Sequence, residues 1–409
     1  MGKNKLKQNN LIKLLFGQSL LLIGFNIYSV VLLYLLVQEY HASARVLGIF
    51  GILAALPPAL IAIGAPILGQ IKNSKTILIM LQVMATFALI IGGSLLLTKQ
   101  ALILVGGLYL LLSTATTISG SVEVGFIPII FQEDEVAIEK SVDLQYFMSI
   151  GLTIITSIIS SFILLAHGST WLLWVSFITT PLGIGCYLLI SYAPNKDMVL
   201  VNTNDGQLDR VPVASYYKQM QTALYQFTHT MPAFLIILFE AILGGVTGLL
   251  FELLPLTMKE LGIAVAFFSI VSATQKVGDL LGGALAPLVK WSAPTFFGCD
   301  YLISGSCFIA ITLPLPNSVR LLLLLLAGIF MGMSGNVFEK LMYRSFNVGD
   351  ISAMHALTTS TFALFSVISY FVAWIHIPTI MLWQLTGGIT IIFGGLLMVI
   401  ARKLGQVSE

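Results

Sequence analysis

Four ionisable side chains fall inside stretches of sequence that are otherwise apolar: Glu240, Glu252, Lys276 and Asp279. A charge at membrane depth costs from about 3 to more than 10 kcal/mol, so it normally faces a partner or a water-filled cavity and marks a route for protons, ions or substrate. Glu240 lies roughly nine residues into its stretch, near mid-depth at about 1.5 Å per residue. Gly244, Gly245, Thr247 and Gly248 follow it and make a small-residue face that permits close helix contact or a cavity wall. Glu240 is therefore the first candidate for a proton-titrating or cation-contacting group. A second reading makes it an uncharged acid, hydrogen-bonded to a neighbouring helix for packing. Glu252 sits toward the far end of the same stretch. Lys276 and Asp279 are three apart, on neighbouring parts of one helical face, and can neutralise each other. They are either a structural pair or a switch in which protonation of Asp279 frees Lys276 for an anionic substrate or for Glu240. Asp300 and Glu339 lie nearer the ends of their stretches and are expected at the water interface.

No catalytic constellation accompanies these groups. His41, His167, His229, His355 and His376 are scattered without metal-ligand spacing, and no glycine-lysine-serine phosphate loop is present. Cys186, Cys299 and Cys307 fall within predicted helices and suggest neither a disulfide framework nor a metal site. The expectation is a chain that is not an enzyme, with no cofactor and no metal, whose work would be driven by an ion gradient.

The elements that must position these residues are long apolar helices. The chain is 57% hydrophobic and 9% charged, against about 25% charged in soluble domains. A spanning helix needs about 20 apolar residues. By that ruler helices are predicted near 11–37, 46–71, 76–98, 101–122, 141–166, 169–194, 231–256, 263–288, 294–315, 319–341, 351–376 and 378–401. Lys3, Lys5 and Lys7 ahead of the first stretch, with Ala42-Ser43-Ala44 after it, imitate a secretory signal. The apolar run far exceeds the roughly 7–15 residues of such a signal, so a retained helix is expected.

Lys and Arg are distributed asymmetrically. With the N-terminus cytoplasmic, one side collects Lys3, Lys5, Lys7, Lys13, Lys72, Lys75, Lys140, Lys196, Arg210, Lys218, Lys290, Lys340, Arg344, Arg402 and Lys403, and the other only Arg45, Lys99, Lys259 and Arg320. The positive-inside rule then places both termini in the cytoplasm of a multi-pass cell-membrane protein. The net charge of +2 mostly reports that bias, and no nucleic-acid partner is implied. Residues 195–230 form the only long polar segment and divide the chain into 1–194, a cytoplasmic linker, and 231–409. Within the linker, Tyr217, Met220, Leu224 and Phe227 recur at helical spacing, as in an amphipathic helix on the membrane surface.

Short motifs along the chain carry a resemblance. They are Gly17-Gln18-Ser19 with Gly24, Tyr34-Leu35-Leu36, Ser43-Ala44-Arg45-Val46-Leu47-Gly48, Leu56-Pro57 and Gly64-Ala65-Pro66-Ile67-Leu68-Gly69 in the first part. Pro128, Glu133, Gln145, Leu254-Pro255-Leu256 and Gly282-Gly283 continue it. The chain resembles the major facilitator superfamily of transporters, most closely its macrolide-efflux-type drug exporters. That resemblance implies an all-α membrane protein of twelve transmembrane helices in two pseudo-symmetric six-helix bundles, with helices one, four, seven and ten lining a central cavity reached from one side at a time.

On that layout the cavity candidates are Gln18, Asn26 and Tyr28 on helix one, and Ser113, Thr117 and Glu123 with Thr114, Thr116 and Ser121 on helix four. Helix ten supplies Met331, Met333, Ser334 and Asn336, where the thioethers suit varied apolar ligands. Each Ser or Thr alone is as readily bonded to its own helix backbone.

The chain also departs from the family pattern. Its loop between helices two and three, Gly69-Gln70-Ile71-Lys72-Asn73-Ser74-Lys75, is about three residues short and lacks the aspartate-arginine pair. Gly151 to Ser161 of helix five contains no proline, and Ser113 stands about where relatives often place an arginine. The resulting expectation is a monomeric secondary transporter in the lipid bilayer, exporting a hydrophobic or amphipathic small molecule in exchange for protons. Its rivals are an ion-coupled importer and a non-transporting relative that serves as a sensor, immunity or assembly factor.

Overall fold

In a bilayer without water every backbone N–H and C=O must pair within its own segment, which for apolar stretches of this length means helices. The computed structural model describes residues 2–68, 74–99, 101–131, 135–191, 233–288, 290–345 and 351–407, with 218, 221, 224, 225 and 228 between them. All regular elements among the described residues are helical. The first half holds α1 (Gly2–Gln38), α2 (Ala44–Leu68), α3 (Ser74–Leu97), α4 (Leu102–Phe131), α5 (Glu135–His167) and α6 (Ser169–Leu188). The second holds α7 (Ala233–Glu252), α8 (Phe268–Leu285), α9 (Ala293–Ile311), α10 (Asn317–Ser345), α11 (Ile351–Tyr370) and α12 (Thr379–Val407).

Among the described residues, eleven helices are long and apolar enough to cross a membrane. The helix outside that set is α8, whose 18 residues include Gln275, Lys276 and Asp279. The helix predicted over 231–256 ends at Glu252, because Pro255 opens a separate short helix, Leu254–Glu260. The loop residues 69–73, the side chains of Pro128, Glu133, Glu339 and His355, and most of the linker, with the expected amphipathic surface helix, lie outside the described residues.

The packing repeats with helix numbers shifted by six. In the first half α1 packs on α5 and α6, α3 on α4 and α6, and α2 on α4; in the second α7 packs on α11 and α12, α9 on α10 and α12, and α8 on α10. The halves meet chiefly through α2 with α11 and α5 with α8, which are themselves equivalent under that shift.

Small residues set the closest crossings. A Cβ on Gly278 would lie 2.6 Å from the Leu325 carbonyl, and one on Gly328 2.6 Å from the Gln275 carbonyl. α8 and α10 therefore meet backbone to backbone along a glycine seam, continued by Gly282 and Gly332.

Buried apolar residues fall into one shared core and two separate ones. Where α1 ends and α2 begins, a single cluster joins Leu32, Leu36 and Leu47 of the first half to Leu250, Met258, Val265, Tyr370 and Trp383 of the second. At the opposite end the halves keep their own cores, Leu14, Leu78 and Ile184 in one and Ile236, Phe297 and Leu397 in the other. The described halves thus share a core at one end only.

Polar groups mark both ends. Near the start of α1, Lys13 and Lys75 donate to the last carbonyls of α6, at 2.6 Å to Leu189 and 2.7 Å to Ile190, which suits the negative pole of that helix. Lys75 thereby gives a structural use to the basic character retained in the shortened loop. At the other end Lys99 and Glu39 pair at 2.7 Å, and the ammonium holds the Glu39 carboxyl below its ordinary range. Both side chains are exposed, so this pair contributes little to stability.

Candidate functional site

Among the described residues each half contains a polar cavity built around a carboxyl group. The larger, about 470 Å³, lies in the first half between α1, α3, α4, α5 and α6. Glu123 of α4 is its acid. Its Oε1 accepts from Gln18 Nε2 on α1 at 2.8 Å and from the Tyr187 hydroxyl on α6 at 2.5 Å. Gln82 of α3 and Gln145 of α5 complete a ring of amides, and Leu22, Phe25, Met148 and Leu152 supply apolar wall. Tyr187 reaches Glu123 because α6 packs closely on α1, where a Cβ on Gly17 would meet the Tyr187 ring at 2.9 Å.

The smaller cavity, about 140 Å³, lies between α7, α9, α10 and α12. Glu240 accepts from the Tyr301 hydroxyl at 2.7 Å. Asp300 accepts from Ser304 at 2.6 Å and from Ser334 of α10. The expectation that Asp300 sits at the water interface is overturned: its side chain is 2% exposed. The cause is the packing of α9 on α12, where Gly305 and Gly387 bring the backbones together, a Cβ on either lying 2.6–2.7 Å from the other's carbonyl, and draw Asp300 into the interior. Serines four residues on and across in α10 supply the donors a buried carboxyl needs. Met331 and Ser334 line this cavity with Glu240, whereas Met333 packs into the apolar core beside it.

The other predicted site residues are dispersed. Tyr28 is fully buried between α1 and α3, its hydroxyl against Gly92, and belongs to the core rather than a cavity wall. Asn26 donates to Thr153 of α5 at 3.1 Å, and Ser113 donates to the Ala54 carbonyl of α2 at 2.9 Å, so both pin helices together. Thr117 accepts from Ser121 through its own carbonyl. Asn336 is half-buried on α10 with Oδ1 unpartnered. Glu252 lies in the electrostatic neighbourhood of Tyr109 and Tyr370 at the shared-core end, apart from both cavities.

Lys276 and Asp279 do pair, at 3.1 Å, and Gln275 adds bonds of 3.0 and 3.2 Å to the same carboxylate. Their side chains are 45% and 23% exposed, which lowers the value of the bond well below that of a buried pair. Lys276→Met and Asp279→Leu should each destabilise the protein by about 1–2 kcal/mol, and the double change should recover most of it. Thermal unfolding of the purified variants checks this. Additive losses in the double mutant would mean that the two charges act independently.

Sequence reasoning did not single out Tyr187, Gln82 or Tyr301, and it read Asp300 as an interface residue. For Asp300 a signal existed: Asp300 and Ser304 are four apart, the spacing at which a hydroxyl satisfies a carboxylate on one helical face.

No protein-family model matches the chain, and no curated protein matches it. Solved structures do. A peptide transporter POT in complex with sulfate aligns over 99% of both chains at 12% identity with a TM-score of 0.74. A POT family transporter in complex with a thioalcohol-conjugated peptide aligns over 96% of both at 14% identity and 0.73. The nucleoside transporter NupG aligns over 96% of this chain and 99% of its own at 14% identity and 0.71. At such identities the likeness is one of fold, and this multi-pass membrane chain has the major facilitator-type fold of these solute transporters.

Proposed function

We propose that the protein is a secondary active transporter of a small amphipathic solute, working by alternating access between a bundle of residues 1–194 and one of residues 231–409, with 195–230 as a cytoplasmic linker. The observation that carries this reading is the uneven core: a single apolar cluster seals the halves together at one end, while at the other each half keeps its own core and a polar cavity. α8 is read as the twelfth span, its charges held by mutual pairing. With both termini cytoplasmic, the sealed end is the outer one and the protein faces inward. Glu240 and Asp300, two carboxyls in one small cavity whose hydrogen bonds among the described residues come from neutral hydroxyls, are read as the proton-coupling pair.

Export in exchange for protons, the direction implied by the resemblance to the macrolide-efflux branch, is one direction of such a cycle. Uptake is the other, and the likeness to peptide and nucleoside transporters favours it in part. The amide-rich first cavity suits a solute with a polar head better than a wholly hydrophobic one. Counterflow in proteoliposomes with labelled dipeptides, nucleosides and amphipathic amines tests transport, and imposed pH gradients of each sign give its direction. Absence of counterflow for every class would favour the non-transporting reading.

Orientation has its own test. Cysteines at Lys99 and Lys259 should react with an impermeant maleimide added to intact cells, and cysteines at Lys72 and Asp205 should react only after permeabilisation. The reverse labelling pattern would invert the topology.

A further inference from the structure

The first-half cavity contains three hydrogen-bonding groups whose needs the protein leaves unmet. Gln82 is 6% exposed and spends its Nε2 on Ser119 at 2.6 Å, which leaves Oε1 buried with no partner among the described residues. Gln145 Nε2 is likewise buried and unpartnered. Glu123 takes both of its donors on Oε1, and no described group bonds its Oε2. Buried amide atoms such as Gln82 Oε1 and Gln145 Nε2 are rarely left in this state, and each costs roughly 1–3 kcal/mol. Among the described residues the lining includes no Lys, Arg or His, so an ionised Glu123 has no countercharge from them in the cavity wall.

Two acceptors, one of them anionic, and one donor define the complement. A primary ammonium carries three N–H donors and a positive charge, enough for Glu123 Oε2 and Gln82 Oε1 together. A neighbouring hydroxyl or carbonyl on the same ligand would accept from Gln145. The apolar wall of Leu22, Phe25, Met148 and Leu152 would take a hydrocarbon body.

We infer that this cavity is a recognition site for amphipathic primary amines that carry a hydrogen-bond acceptor beside the ammonium. The assignment rests on the transporter reading for its purpose but on the cavity alone for its chemistry. Anionic solutes are excluded by Glu123, and neutral ones leave the carboxylate unneutralised.

Calorimetric titration of the purified full-length protein with three probes on one scaffold tests it. The probes are phenylalaninol, 3-phenylpropane-1,2-diol, in which hydroxyl replaces ammonium, and 3-phenyllactate, which is anionic. Phenylalaninol should bind at least about tenfold more tightly than the diol, and phenyllactate should not bind. Glu123→Gln should bring phenylalaninol down to the affinity of the diol. Gln82→Met keeps the carboxylate and the side-chain volume but gives up the bond to Ser119, and in the folded protein should weaken phenylalaninol by about three- to tenfold. It serves as the second variant should Glu123→Gln fail to fold.

Equal binding of the three probes, preference for phenyllactate, or no binding of phenylalaninol at millimolar concentration would each overturn the assignment. The readout is binding to the resting protein, so it is separate from transport. The expected ordering without counterflow would retain this site and remove the transporter reading; counterflow of other solutes without the ordering would do the opposite.

Discussion

Glu240→Gln and Asp300→Asn are each expected to abolish accumulation of solute driven by a pH gradient, a loss of at least about 100-fold, while counterflow stays within a few-fold of the parent. The separation follows from what each reaction demands. Counterflow needs only a binding site and a conformational cycle, whereas accumulation needs a group that takes a proton on one side and releases it on the other. Glu240 and Asp300 are the two carboxyl groups in the second-half cavity, and the hydrogen bonds they accept there come from the neutral hydroxyls of Tyr301, Ser304 and Ser334. The amide replacements keep shape and acceptor oxygen, so Tyr301 can still donate to residue 240 and the two serines to residue 300. Folding should survive while the exchangeable proton is lost. Reconstituted vesicles with an imposed gradient, measured beside counterflow in the same preparation, give both readouts. A Glu240→Gln protein that still concentrates solute would remove Glu240 from coupling. If Asp300→Asn alone uncouples, the buried aspartate carries the proton and Glu240 is the packing acid.

Most of the architecture was legible in the sequence because a bilayer leaves few solutions to an apolar chain. Length and hydropathy located the helices, and the errors cluster where a local signal competes with composition, as where Pro255 restarts the helix after α7. The site was legible by helix but not by neighbour. Gln18, Glu123, Glu240 and Ser334 stand in or on cavity walls, yet Tyr28, Asn26 and Ser113, equally polar and similarly deep, serve helix packing instead.

Which way a side chain faces is set by the rotation of its helix against neighbours, and in this chain close glycine contacts, as between α8 and α10 and between α9 and α12, help to fix that rotation. The repeat was also hidden. Gln82 bonds Ser119 across α3 and α4, and Asp300 bonds Ser334 across the corresponding α9 and α10. An amide in one half occupies the place of an acid in the other. Such a substitution leaves no sequence identity to find, although on the proposed function it divides the halves chemically between solute recognition and proton handling.

The apolar seal between the halves offers the second large effect. α2 carries Gly48 and Gly51 where α11 ends; Gly48 meets Ala373 and the Tyr370 backbone, and the Tyr370 ring rests on Gly51. A Cβ on Gly48 would lie 2.7 Å from the Ala373 Cβ and 2.9 Å from the Tyr370 carbonyl, and one on Gly51 2.6–2.7 Å from Tyr370 ring carbons. No branched side chain fits there while the ends are joined, so Gly51→Leu acts as a wedge. Overpacking of this kind costs about 1–3 kcal/mol. If the cost falls only on the sealed state, it shifts the balance toward an outward-open state by about 10- to 100-fold. Val265 is 3% exposed within the shared core, and a cysteine placed there should be protected in the parent and reactive from outside in the wedge variant, with transport reduced at least about tenfold. Adding Tyr370→Ala should remove the clash and restore both protection and transport. That rescue separates a gate from a misfolded protein, because a general loss of structure would not be repaired by deleting a second core side chain. A wedge variant that loses transport while the cysteine stays protected would mean that this seam does not open during the cycle, and the moving contact would then have to be sought along α5 and α8.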